Sequence, residues 1–206
     1  MSPLRTGFRY GVVVVIVAVV ANLYFLVLSP EGTPEWILAL IGSFLAPLRL
    51  AAYLFLGILA ALRARPARLE PGVPYRSLLL RDCALAAAVV AVMAGLTGLL
   101  VTALEATVLA GTMQSFAQEA APGIVSFVNE QRQILSNPPP PANVGDVERI
   151  FQPPALGDLG GYMGNVVIGA IFLGAVGALI GALRGSFGSG RGRDVPSEEK
   201  QESPEG

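Results

Sequence analysis

The sequence predicts an all-α membrane protein with four transmembrane helices, and three observations lead to this prediction. The 206-residue chain is 53% hydrophobic and only 14% charged, which is typical of membrane proteins rather than soluble domains. Four apolar runs are each long enough to cross the roughly 30 Å hydrocarbon core of a bilayer, since a helix rises about 1.5 Å per residue. Basic and acidic connections alternate along the chain, as the positive-inside rule requires.

The four predicted spans cover residues 10–28, 36–62, 84–104 and 166–183. With their connections they make up one predicted transmembrane domain, residues 1–185. The tail, residues 186–206, is rich in Gly, Ser, Pro and Glu. Such a composition cannot bury enough apolar surface to offset the cost of ordering, so the tail is predicted to be disordered.

The charges of the connections predict which way the chain crosses the membrane. Short loops rich in Lys or Arg stay in the cytoplasm, because their translocation is unfavourable. The N-terminal flank and the start of the tail are basic, whereas residues 29–35 carry only acids and residues 110–165 carry five acids against two bases. The connection between spans two and three is the most basic, with Arg63, Arg65, Arg68, Arg76 and Arg81. Both termini are therefore predicted to be cytoplasmic.

The first span has a basic flank like that of a signal peptide. Its apolar run continues to Leu28, however, which exceeds the roughly 7–15 apolar residues of a signal peptide and favours an uncleaved helix. Asn22 lies inside the run. An amide at such a position usually bonds to a neighbouring helix, for about 0.6–2 kcal/mol.

The second span contains both a helix breaker and a charge, Pro47 and Arg49. In one interpretation the helix breaks at Pro47, residues 35–46 lie partly in the interface, and Arg49 extends its head group outward. In the other the helix is continuous and Arg49 faces the bundle, where Asn22 is at a similar depth and is its candidate partner. An intramembrane arginine costs about 2.5–3.5 kcal/mol and therefore indicates a function. Arg49 and Asn22 form the predicted intramembrane polar site.

Small residues at four-residue spacing predict close helix packing in spans three and four, because they let backbones approach. These residues are Ala87, Ala91 and Gly95 in span three, and Gly177, Gly181 and Gly185 in span four, where Gly174 belongs to a second stripe of small residues. The pattern leaves open whether span four packs on span three or on another subunit. Glu105, at the end of span three, is expected to reach the outer head groups rather than to take part in a proton relay.

The segment 110–165 is predicted to lie outside the membrane. Its apolar residues from Ile124 to Leu135 recur at helical spacing and predict an amphipathic helix that starts after Pro122. Four prolines, residues 138–141, form a stiff linker before a second short helix over residues 143–151. We expect the segment to be a packed connector, and the alternative is a lid or a partner-docking surface.

The residue inventory argues against an enzyme and indicates no cofactor and no metal. The chain has no histidine and a single cysteine, Cys83, which removes the commonest general base and most zinc sites. Glycines at 157, 160, 161 and 164 lack the Lys-Ser/Thr of a phosphate loop. The bases lie next to spans, so nucleic-acid binding is not expected. Lys200 is the only lysine among many arginines, which suggests a bacterial, GC-rich source and the inner membrane.

The order of the spans and connections along the chain can also be compared with that of known proteins. A basic start leads into Tyr10-Gly11, the second span ends near Gly57-Ile58 before a basic turn, and a long outer segment precedes the fourth span. In these features residues 5–185 resemble a family of small four-span bacterial membrane proteins known only as a domain of unknown function. The resemblance implies no reaction and no catalytic residue.

Two classes of function remain. The favoured one is a non-catalytic structural or accessory membrane component, because transporters normally carry more polar residues within their spans. The alternative is a small oligomeric transporter or channel subunit that uses Arg49 and Asn22. The expected partners are the lipid bilayer and either further copies of the chain or a larger membrane complex.

Overall fold

A computed structural model describes residues 2–66 and 73–188 of the chain. Within these residues the structure is all-helical, which confirms the predicted class. The helices are α1 (Pro3–Asn22), α2 (Glu35–Arg63), α3 (Tyr75–Ala106), α4 (Ala110–Gln133), α5 (Val144–Phe151) and α6 (Leu159–Gly188), with short 3-10 helices at Leu23–Leu26 and Leu156–Asp158.

Four of these helices are long and apolar enough to cross a membrane: α1 with its 3-10 extension, α2, α3 and α6. The last three have 29, 32 and 30 residues, or about 45 Å at 1.5 Å per residue. Each is therefore longer than the roughly 30 Å hydrocarbon core. The helices extend beyond the apolar runs because polar flanking residues, such as Arg5 and Arg76, continue the helical hydrogen bonding.

Helix α3 is the centre of the bundle and contacts α1, α2 and α6. It runs parallel to α1, since Gly7 of α1 faces Ala86 and Gly11 faces Met93 further along α3. It runs antiparallel to α6, since Gly95 faces Val166 while Leu80 faces Gly181. The bundle core consists of small and medium side chains from all four helices: Val14, Ala60, Ala61, Leu79, Cys83, Ala86, Ala87, Val90, Ala91, Ala94 and Leu173, together with Ala64 just after α2.

A second hydrophobic cluster lies where α4 and α5, here called the cap, cover one end of the bundle. It combines cap residues with Phe25 from the 3-10 helix and Leu38 from α2. The outer segment thus buries its apolar side chains by packing on its neighbours. We call this the capped end of the bundle, and the opposite end, where α2 ends and α6 approaches its C-terminus, the arginine end.

The cap differs from its predicted form in one respect. Helix α4 begins at Ala110 and continues through Pro122 to Gln133, whereas the sequence predicted a helix starting after Pro122. The proline removes one backbone donor. The buried face, however, continues on both sides of it, with Phe116 and Ala120 before and Ile124 after, so that tertiary packing holds the helix in one piece.

The proline linker is tied back onto α4. Asn129 donates to the carbonyl oxygen of Ala142 at 3.2 Å and accepts from its N–H at 3.0 Å, and Arg132 donates to the carbonyl oxygen of Pro139. Asn143 then caps α5, since its side chain accepts from the N–H of Asp146 at 2.9 Å. These contacts fix the orientation of α5, which starts within one residue of its predicted position.

Two sequence predictions fall partly or wholly beyond the described residues. The tail was predicted to be disordered from residue 186, but α6 continues to Gly188, and residues 189–206 lie outside the described part. The middle of the basic connection, residues 67–72, lies outside it too.

Candidate polar site beneath the cap

Helix α2 is continuous through Pro47, from Glu35 to Arg63. Of the two interpretations that the sequence left open, the structure has the unbroken helix. Arg49 therefore lies in the interior of α2, 14 residues from each end of the helix. Its side chain is half-buried.

The guanidinium of Arg49 donates through Nη1 to Oδ1 of Asn22, across the interface between α2 and α1. Asn22 is the last residue of α1, and its Nδ2 donates to the carbonyl oxygen of Ala18 at 2.6 Å. That second bond orients the amide, because the nitrogen must face Ala18 and the oxygen is left for Arg49. The structure thus brings together the two residues of the predicted polar site.

Glu105 lies close to this pair and is buried, with only 6% of its surface exposed. Helical rise counted along span three predicts that Glu105 lies at the level of the outer head groups. Helical rise gives a depth along the bundle but not the neighbours of a side chain, and just after Ala106 the chain continues into α4, which belongs to the cap. Glu105 interacts electrostatically with Arg49 of α2 and with Tyr24 of the 3-10 helix after α1.

Two more polar side chains adjoin these residues. Tyr53 lies one turn after Arg49 on α2 and interacts with it electrostatically. Thr102, one turn before Glu105 on α3, is 6% exposed. We call Asn22, Tyr24, Arg49, Tyr53, Thr102 and Glu105 the polar cluster.

Aromatic rings of the cap pack against Tyr24 of the polar cluster. Tyr24 packs edge to face on Phe116 of α4 and Phe151 of α5, with ring centroids 5.7 and 6.5 Å apart, and the two phenylalanines lie 6.0 Å from each other. Such pairs are favourable beyond the area they bury. Tyr24 therefore belongs to both groups of residues. Its ring packs in the hydrophobic cluster of the cap, and it interacts electrostatically with Glu105.

Sequence reasoning missed Glu105 as a member of the site, although a signal was present. Ala87, Ala91, Gly95, Gly98, Thr102 and Glu105 follow one another at steps of three or four residues. Residues at that spacing share one face of a helix. The small-residue stripe that predicts the packing face of α3 therefore ends on Glu105.

The chemistry of the polar cluster follows from its unused hydrogen-bonding groups. A guanidinium has five N–H donors, and among the described residues Arg49 uses one of them, toward Asn22. Glu105 forms neither a hydrogen bond nor an ion pair with any described residue. The cluster thus combines an available cation with an available carboxyl group.

The predicted packing residues of α6 lie against α3. A side chain at Gly177 would place its Cβ 2.5 Å from the carbonyl oxygen of Cys83, and one at Gly181 2.7 Å from Cα of Leu80. At Gly185 the nearest atom would be Cγ of Arg76 at 2.8 Å, and at Gly174 Cβ of Ala88 at an ordinary 3.7 Å. On the α3 side Ala87 and Ala91 are buried, and a Cβ at Gly95 would lie 2.8 Å from Cγ2 of Val166. Span four thus packs on span three of the same chain.

A second set of polar contacts lies at the arginine end of the bundle. Arg184 of α6 donates to the carbonyl oxygens of Ala61 and Ala64 at 2.9 and 3.0 Å and to Sγ of Cys83 at 3.4 Å. Cys83 is fully buried and itself donates to Ala61 at 3.2 Å. The thiol is therefore part of the packed bundle.

Two grooves mark the surface of the capped end. An acidic one, of about 400 Å³, has Glu31, Glu35 and Glu119 among its lining residues. An apolar one, of about 320 Å³, lies between Trp36 and Phe127. Among the described residues no group of three or more Cys, Asp or Glu side chains is placed to hold a metal ion.

Comparison of the chain with protein-family models, with curated proteins and with solved structures finds no match in any of the three.

Proposed function

We propose that the chain is a multi-pass protein of a bacterial inner membrane, with both termini in the cytoplasm and the cap outside. It acts there as a non-catalytic structural or accessory component. The observation that carries this proposal is the set of four long, apolar helices.

The distribution of charge supports the orientation. The capped end carries Glu31, Glu35 and Glu119 around one groove. The arginine end carries Arg63 at the end of α2 and Arg184 near the end of α6. Basic residues favour the cytoplasmic side.

The surface of the bundle supports the role of an accessory component. Helix α6 contacts α3 along its glycines but leaves Ile168, Ile171 and Phe172 at least 58% exposed. In a bilayer such a face is covered by lipid or by another membrane protein. Few polar groups interrupt it, as expected of a chain that assembles in the membrane.

Co-purification tests this proposal. The full chain, extracted in a mild detergent from the cells that make it, should elute with a mass above that of one chain plus detergent, together with a partner or with further copies of itself. A protein that remains monomeric and without partners at every detergent concentration would contradict an accessory role.

The polar cluster favours a second candidate function, that of a small transporter or channel subunit. An ionisable residue within a membrane span is a functional-site hypothesis by default, and this cluster contains two, Arg49 and Glu105. Uptake into proteoliposomes tests it: transport should be present with the natural chain and lost in Arg49→Leu. Equal flux in liposomes with either protein would exclude Arg49 from a pathway.

A further inference from the structure

The end of α2, the start of α3 and the end of α6 meet at the arginine end of the bundle. Arg184 of α6 donates to the carbonyl oxygen of Ala64, just after α2, at 3.0 Å. The next residue, Gly185, lies against the stem of Arg76 on α3, since a Cβ there would be 2.8 Å from Cγ of Arg76. Arg65 follows Ala64 directly. The three helices thus bring arginines to one level of the bundle.

The positive charge at this level is not balanced by acids. Arg184 donates to carbonyl oxygens and a thiol rather than to a carboxylate. Arg65 and Arg76 are exposed, and neither forms a hydrogen bond or an ion pair with any described residue. Asp82 is the only acid at this end among the described residues, and it is buried and pairs with Arg81 at 3.3 Å. Arg65 and Arg76 are thus available to an anion from outside the chain.

Exposed apolar side chains border these arginines on the membrane side. Leu80 lies one turn after Arg76 on α3, and Leu62 and Leu183 lie near the ends of α2 and α6; all three are at least 39% exposed. Tyr75, at the start of α3, is 54% exposed, and an amphipathic ring of this kind is typical of the head-group level. The surface is therefore cationic at its edge and apolar next to it.

We propose that the arginine end binds an anionic phospholipid, with Arg65 and Arg76 at its phosphate and the acyl chains along Leu62, Leu80 and Leu183. A guanidinium presents its N–H groups as a rigid fork that matches phosphate oxygens. Basic surfaces between membrane helices on the cytoplasmic side are known to hold such head groups.

The chemistry of the surface distinguishes this lipid from other phosphates. Free phosphate would contact the arginines but leave the leucines uncovered, whereas a lipid covers both parts of the surface. A zwitterionic lipid would bring an ammonium group close to Arg65 and Arg76, which repel it. The anionic lipid also offsets the repulsion among the arginines of the three helices, so its binding should stabilise the folded chain.

Thermal unfolding of the purified full chain in a neutral detergent tests the proposal. Phosphatidylglycerol, added at about ten times its Kd, should raise the unfolding midpoint by about 3–6 °C. Phosphatidylcholine with the same acyl chains, and inorganic phosphate at the same concentration, should each leave the midpoint unchanged. An equal shift with phosphatidylcholine would mean that any lipid suffices, and an equal shift with inorganic phosphate that no lipid is needed; either result would overturn the proposal.

Two double variants locate the site. Arg65→Gln combined with Arg76→Gln should abolish the shift caused by phosphatidylglycerol. The matched control, Arg132→Gln combined with Arg149→Gln, removes two bases from the cap and should keep the shift. A shift that persists in the first variant, or that is lost in both, would show that the lipid does not bind at the arginine end.

A measurement on the natural protein decides the matter if the first double variant fails to fold. Salt screens the attraction between an exposed arginine and a head group, because the Debye length falls from about 10 Å at 0.1 M to about 3 Å at 1 M. Over this range the shift caused by phosphatidylglycerol should fall by about half or more. A shift that does not depend on salt would contradict binding through Arg65 and Arg76.

This inference rests on the proposed membrane location, because only there does the arginine end meet lipid. The two can fail separately. The lipid-dependent shift is measured in detergent and does not depend on orientation or on partners, whereas thiol labelling of intact cells reports the orientation and co-purification reports the partners.

Discussion

Arg184, near the end of α6, donates a hydrogen bond of 3.0 Å to the carbonyl oxygen of Ala64, the residue that follows α2. The last carbonyl groups of a helix have no partner within the helix. Here a cation from a helix 120 residues away supplies the partner, at the negative end of the α2 dipole. Span two and span four are thus joined at the arginine end by a contact that neither apolar run predicts.

Replacing Arg184 by Met should lower the thermal stability of the protein in mild detergent. Met keeps an apolar stem of similar reach, but it leaves the carbonyl groups of Ala61 and Ala64 without their charged donor. We expect a loss of about 1–3 kcal/mol. Arg63→Met is the matched control: it removes the same charge from the same end, and Arg63 is exposed. If both variants melt at the same temperature, the hydrogen bonds from Arg184 contribute nothing measurable.

Replacing Gly181 by Ala should destabilise the bundle although alanine is the better helix former. The new Cβ would meet backbone atoms of α3, Cα of Leu80 at 2.7 Å and the carbonyl oxygen of Leu79 at 2.8 Å. Backbone cannot move aside cheaply, and overpacking costs about 1–3 kcal/mol. The measurement is the midpoint of thermal unfolding in detergent.

The control for this glycine lies on the same helix. A Cβ at Gly169 meets no atom within 4 Å, so Gly169→Ala should be neutral or stabilising by up to about 1 kcal/mol. Leu179→Ala should also be mild, because Leu179 is 61% exposed. Equal destabilisation by Gly169→Ala and Gly181→Ala would show that the close packing on α3 does not stabilise the fold.

The fold was predictable from the sequence to the extent that it depends on local hydropathy. The apolar runs locate the four long helices, and the glycine spacing identifies the α6 face that packs on α3. Arg49 and Asn22 could also be chosen as candidates from the sequence, because they lie at a similar depth in neighbouring spans. These inferences need only helical rise and periodicity, which are the same in every helix.

The burial of Glu105 could not be predicted in that way. Its surroundings depend on the cap, and the cap depends on the packing of Phe116 and Phe151 around Tyr24, residues that lie far apart in the sequence. Pro122 shows the same limit, because its helix is maintained by contacts on either side of the proline rather than by local preference. For both Glu105 and Pro122 the missing information was a set of tertiary contacts, which local sequence does not reveal.

Replacing Asn143 by Ala should loosen α5. The side chain caps the helix by accepting from the N–H of Asp146 at 2.9 Å, and the loss of such a cap costs about 1 kcal/mol. Hydrogen exchange of residues 144–151 should therefore become faster, while exchange in α3 stays unchanged. Asn137→Ala, at an exposed position of the linker, is the control. Unaltered protection of α5 would mean that Val147 and Phe151 hold it without the cap.

Single cysteines in a Cys83→Ser background test the orientation. Cysteine at position 31 or 136 should react with a membrane-impermeant thiol reagent added outside intact cells, because both connections are acidic. Cysteine at position 197, outside the described residues, should react only after the cells are opened, because basic residues precede it. Labelling of position 197 from outside would reverse the proposed topology.

A double-mutant cycle on Arg49 and Asn22 should reveal their coupling. Arg49→Leu removes a charge that costs about 2.5–3.5 kcal/mol to insert and should leave the fold intact or stabilise it, since only a functional role would retain that cost. Asn22→Leu leaves the guanidinium without its acceptor and should destabilise the protein. In the double variant no charge remains to be satisfied, so the effect of Asn22→Leu should largely disappear, with a coupling energy of about 0.6–2 kcal/mol. Unfolding in detergent provides the free energies.

Arg49→Cys completes this test by measuring accessibility. The hydrogen bond to Asn22 holds the head group of Arg49 between α1 and α2, so a thiol at position 49 should resist impermeant reagents from both sides of the membrane. Cysteine in place of Trp36, which is 51% exposed near the start of the same helix, is the control that should react from outside. Ready labelling of position 49 from outside, with additive effects in the double-mutant cycle, would mean that Arg49 reaches the interface and does not belong to a buried polar cluster.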